Sequence, residues 1–222
     1  MNKAVVEASE NAGNWKKTVF SALVGAAIGA GSVALVIWLA GANFLGAMGS
    51  SRVALAGVGL IYFIVSGFLL FGVAVPGVGA KVLNVADAEE LVEERGDLVL
   101  SGLTMAAFGI VLILLALASA PDFALGPISP AVAGAALLLL IALGGYASWY
   151  WRDRFDELNN QLGLEGAAWA FVLSWLVLTL WAAADFLGYG ARLTPLDVVS
   201  VVSAMLLLGS FVAIGLRGMM VR

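Results

Sequence analysis

Val111-Leu112-Ile113-Leu114-Leu115-Ala116-Leu117 and Leu137-Leu138-Leu139-Leu140-Ile141 decide the fold. Neither stretch alternates apolar with polar residues, as strands of an outer-membrane barrel do over about 10 residues. Backbone groups in lipid must be paired within their own segment, so a continuous apolar run reads as a helix.

Working outward, charged residues divide the chain into long uncharged windows. There are 34 such residues between Lys17 and Arg52, 28 between Arg52 and Lys81, and 24 between Asp97 and Asp122. A further 29 separate Asp122 from Arg152, 19 separate Glu165 from Asp185, and 19 separate Asp197 from Arg217. Roughly 20 residues cross the ~30 Å hydrocarbon layer. The windows predict an all-α integral membrane protein with six transmembrane helices, at 18–40, 53–75, 98–120, 128–150, 166–187 and 196–216. Pro76, Pro121, Pro127, Pro130 and Pro195 fall at the ends of these spans, where a helix tolerates proline. The first span has the flanks of a signal peptide, but its ~23 apolar residues exceed the 7–15 of a signal core. A membrane helix is expected there.

Composition agrees. Of 222 residues, 62% are hydrophobic and 12% charged, against about 25% charged in a soluble domain. The chain has no Cys and no His, which excludes disulfides, thiolate sites and a Ser–His–Asp triad and removes the usual ligands of haem, copper and catalytic zinc. No cofactor, metal or catalytic residue is expected. The net charge of −4 carries no nucleic-acid footprint.

Lys and Arg set the orientation. Nine lie on the side of the N-terminus (Lys3, Lys16, Lys17, Lys81, Arg95, Arg152, Arg154, Arg217 and Arg222), and two, Arg52 and Arg192, lie opposite. Both termini are expected in the cytoplasm. Short outer links then make three antiparallel hairpins, 18–75, 98–150 and 166–216. They are framed by cytoplasmic segments 1–17, 76–97, 151–165 and 217–222. Glu90-Leu91 with Gly96 recurs as Glu157-Leu158 with Gly163 at an offset of 67, a hint that the second and third hairpins are duplicated.

The block Phe155-Asp156-Glu157-Leu158, followed by Leu164-Glu165-Gly166-Ala167-Ala168-Trp169-Ala170-Phe171, resembles uncharacterised multi-pass bacterial inner-membrane proteins. In those proteins a basic residue follows the acidic block and a Glu-Ala pair comes next; here Asn159-Asn160 and Gly166 stand in those places. The resemblance covers about 155–210 and implies a location in the inner membrane and a helical fold, not an activity.

Three features are candidates for function. Asp87, Glu90, Glu94 and Asp97 share one helical stripe. They read as a helix start favoured by the macrodipole and a capping box, as a surface for a partner, or as a cation site. Ser21, Ala22, Gly25, Ala26 and Gly29 form a small-residue face on which two lipid-embedded helices approach closely, within the chain or with a partner. Asp185 and Arg192 are placed to form an ion pair at the outer boundary. Segment 151–165, with Phe155, Leu158 and Leu162 on one face, suits a helix at headgroup level or a docking surface.

Mid-span polar groups are limited to Tyr62, Ser66, Thr104, Ser174 and Thr179. Intramembrane ionisable residues, the usual mark of ion pathways, are missing from the span centres. The expected function is a non-catalytic accessory or scaffold subunit contacting lipids and other membrane subunits or copies of itself. The alternative is a channel or transporter for a small neutral or lipidic solute; an enzyme using the cytoplasmic carboxylates comes third.

Overall fold

In the computed structural model, residues 42–77, 79, 92, 95–151 and 157–217 are described. Contacts divide the chain into two units, 1–46 and 47–222. The described part of the first opens the short helix α1 (Ala42–Met48). The elements that follow are α2 (Ser50–Ala74), α3 (Arg95–Ala116), α4 (Pro130–Trp151), α5 (Glu157–Phe186) and α6 (Pro195–Leu216), with no strand among the described residues.

Five helices, α2 to α6, are long and apolar enough to cross a membrane. They coincide with five of the six expected spans. The sixth, 18–40, lies outside the described residues. The ends differ from expectation in two places. The span expected to reach 120 stops at Ala116, and residues 117–129 fold into a compact turn instead. The span expected from 166 begins at Glu157, so the described end of the supposed headgroup segment is the first part of a 30-residue rod about 45 Å long.

Local chemistry explains the helix ends. Gly49 enters α2 with φ 78°, a conformation that costs a residue without Cβ nothing. Thr194 and Asp197 cap α6 reciprocally, with Pro195 at its first position, where a missing N–H is harmless. α5 is closed by Gly188, two residues past its end, with φ 78°: the Tyr189 amide donates to the Ala184 carbonyl at 2.8 Å and the Gly188 amide to the Asp185 carbonyl at 3.0 Å. That double bond pattern closes a helix through a left-handed glycine.

α2 packs on α3, α5 packs on α6, and α2 joins the two pairs by contacting α6. The α2–α3 pair runs antiparallel in steps of seven residues. Arg52 meets Ala116, Gly59 meets Gly109, and Ser66 meets Gly102. A Cβ on Gly59 would lie 2.7 Å from the Gly109 carbonyl oxygen, so only glycine permits this approach. On α5–α6 a Cβ on Gly209 would lie 2.5 Å from the Gly166 carbonyl oxygen. Such small-residue crossings are how helices associate where lipid removes the hydrophobic drive.

Tyr62 ties the pairs together. Its ring meets Phe108 of α3 edge-on at 4.9 Å, and its hydroxyl donates to the Ser203 carbonyl of α6 at 2.8 Å. α4 is the outlier: Ala133, 2% exposed, is its one buried residue among those described. α4 contacts α3, its neighbour across the short link, while α3 packs mainly on α2.

Candidate functional site

The densest polar cluster among the described residues lies at the end of the bundle where α2 and α6 start and α3 stops. Its centre is Arg52, three residues into α2, with a side chain only 7% exposed. A buried guanidinium needs acceptors on every side. Nη1 donates to the carbonyls of Ala116 (3.2 Å) and Ala118 (2.8 Å), and Nη2 to Asp122 Oδ1 at 3.1 Å. Ala116 is the last residue of α3 and Ala118 lies in the turn just past it, where the helix itself offers no amide partner. The guanidinium carbon stands 5.1 Å from the ring centroid of Phe123, itself buried. Nε is buried with no hydrogen-bond partner.

The turn at 117–129 is shaped to present those groups. Ser119 donates its amide to Ile128 at 2.8 Å, and Ala120 and Phe123 exchange amides and carbonyls at 3.2 and 2.9 Å. Gly126 lies so close to the Ser119 backbone that a Cβ there would be 2.5 Å from the Ser119 nitrogen. Asp122 projects outward, 72% exposed, and the Arg52 hydrogen bond holds its carboxyl below the usual carboxylate range.

The start of α6 completes the cluster. Asp197 is buried; its Oδ2 accepts from the Thr194 amide (2.9 Å) and hydroxyl (2.8 Å), and the Ser51 hydroxyl of α2 reaches the same carboxylate. Between these elements lies a cavity of about 480 Å³, lined among others by Met48, Ser51, Arg52, Leu115, Asp122 and Thr194. A second hollow, about 440 Å³, is an apolar groove along α5 and α6 lined by Ala167, Ala170, Phe171, Ser174, Trp175 and Leu206.

The expected site residues fall as follows. Ser21, Ala22, Gly25, Ala26 and Gly29 lie outside the described residues, as do Asp87, Glu90 and Glu94. Asp97 is exposed in the first turn of α3. Asp185 Oδ2 accepts the Leu193 amide at 3.1 Å, and Arg192 is exposed. The ion pair found at this end among the described residues joins Arg52 to Asp122 instead. At the opposite end Arg217 clamps Glu165 with two bonds, 2.9 and 2.6 Å, and adds Gln161 at 3.3 Å.

Neither pair was anticipated, yet both had a signal. Arg52 and Asp122 are isolated charges bounding uncharged windows at the same expected end. Glu165 and Arg217 hold the same relation at the other. The span-centre hydroxyls are spread over separate places. Ser66 donates to the Gly102 carbonyl at 2.6 Å inside the α2–α3 interface. Thr104 donates to Leu100 of its own helix, and Ser174 and Thr179 line the α5–α6 groove.

Comparison with protein-family models, with curated proteins and with solved structures finds no match.

Proposed function

We propose that this chain is a small integral subunit of the bacterial inner membrane, both termini cytoplasmic, that packs against and stabilises a larger membrane assembly. The carrying observation is the contrast between helices. α2 and α3 turn Gly59, Gly102 and Gly109 on each other. In α4 a Cβ added at Gly134, Gly144 or Gly145 meets nothing within 4 Å, and Leu138, Leu139, Ile141 and Leu143 are all exposed. A helix face this open, bearing small residues that let another backbone approach, suits a neighbouring helix.

The channel reading draws less support. Ser66, Thr104 and Ser174 line three different places and not one common space. The discriminating experiment is purification in mild detergent after crosslinking in the membrane. Specific partner chains, or a defined self-assembly, recovered through cysteines placed on α4 support the subunit reading. A chain that runs alone, with α4 cysteines reacting only with themselves at random, removes it.

A further inference from the structure

The hollow of about 480 Å³ is open: Gly49, Ser50, Asp122 and Pro195 of its lining are exposed. It lies where α2 and α6 begin and α3 ends, so in a chain whose helices cross a bilayer it stands at headgroup level. Its walls are fixed. Arg52 and the buried Phe123 anchor the 117–129 turn on one side, and the Thr194–Asp197 cap holds the other.

Two kinds of group line it. The first are donors. A helix start carries unpaired amides and a partial positive charge. The reciprocal cap answers this at α6, whereas α2 starts behind Gly49 with no side-chain cap. Arg52 adds a second donor: its side chain, 7% exposed, lines the hollow, and its Nε–H has no acceptor, a state that folded proteins seldom keep. The second kind is an acceptor. Asp122 gives Oδ1 to Arg52 at 3.1 Å, yet it is 72% exposed, and a carboxylate has about four acceptor positions. The charges of Arg52 and Asp122 cancel. A simple anion is therefore repelled by one of them and a simple cation by the other. A ligand carrying both signs satisfies both.

We propose that this hollow holds the headgroup of a zwitterionic phospholipid with a primary ammonium group. The phosphate oxygens take the Arg52 Nε–H and the start of α2, and the ammonium donates to Asp122. This rests on the helices crossing a bilayer and is independent of whether the chain is a subunit of a larger assembly.

The test uses the full chain in mild detergent with equal amounts of phosphatidylethanolamine, phosphatidylcholine and phosphatidylglycerol of identical acyl chains, and native mass spectrometry reads the lipid retained. Phosphatidylethanolamine is expected to exceed phosphatidylcholine, whose quaternary ammonium has no N–H for Asp122, about two- to fivefold, the range that an exposed ion pair spans. It is expected to exceed phosphatidylglycerol, which has no cation, by at least as much. Asp122→Asn removes an exposed charge and is expected to erase both preferences. Arg217→Gln breaks the Glu165 pair at the opposite end and is expected to keep them. Equal retention of the three lipids by the parent overturns the site, as does a preference that survives Asp122→Asn or disappears in Arg217→Gln. Displacement of the lipid by an equal concentration of water-soluble glycerophosphoethanolamine also overturns it, in favour of a soluble zwitterion.

Discussion

Gly59 of α2 and Gly109 of α3 are in mutual backbone contact: a Cβ on the first would lie 2.7 Å from the carbonyl oxygen of the second, and the converse distance is 2.6 Å. No flexible side chain stands between them to give way. Gly59→Ala or Gly109→Ala is expected to cost about 1–3 kcal/mol through overpacking. Gly57→Ala, one turn-fraction away with nothing within 4 Å, is expected to be neutral or mildly stabilising. Unfolding of each variant in detergent, followed by tertiary fluorescence, checks the contrast.

Arg52 and Asp122 couple stability to pH. The folded carboxyl lies below its ordinary value because Arg52 bonds to it. Ionised Asp122 therefore adds stability that is present above the ordinary carboxylate value and lost as pH falls through the depressed one. Acid titration of the unfolding midpoint is expected to show this loss in the parent. Asp122→Asn removes that component and flattens the profile.

Tyr62 joins three helices through two different interactions, and two substitutions separate them. Tyr62→Phe keeps the edge-on contact with Phe108 and deletes the bond to Ser203, at a cost of about 0.5–1.5 kcal/mol. Tyr62→Ala also opens a cavity and is expected to cost about 3–5 kcal/mol, the range for a large aromatic. Stability measurements on both, together with crosslinking between α2 and α6, distinguish the hydroxyl from the ring.

Gly188 holds φ at 78° where α5 reverses into the link to α6. Gly188→Ala forces a side chain into the left-handed region and is expected to destabilise by about 1 kcal/mol. Gly163→Ala, inside α5 with open space around it, is expected to stabilise by up to about 1 kcal/mol. Opposite signs for the same substitution in one helix are the readout.

Much of the helix layout was legible because bilayer thickness imposes a length that uncharged windows reveal directly. Pro130 and Pro195 stood at expected span ends and open α4 and α6, whereas the Thr194–Asp197 cap shows itself only in the structure. Helix pairing was not legible. The Gly59–Gly109 and Gly166–Gly209 approaches depend on which faces meet, and 27 glycines offer many such faces. The same limit hid the Arg52–Asp122 pair: both residues were visible as isolated charges, but only the turn at 117–129, closed by its own amides, brings them together. Asp185 illustrates the converse, since a carboxylate near an arginine in sequence spends its oxygen on the Leu193 amide instead.

The near-absence of buried residues on α4 has a thermodynamic consequence. Lipid offers its backbone no alternative hydrogen-bond partners, so α4 stays helical for reasons independent of its neighbours. Secondary and tertiary order are therefore separable in this chain: conditions that dissolve the glycine crossings of α2 with α3 leave α4 coiled as before. Circular dichroism will then lag behind fluorescence when the protein is denatured.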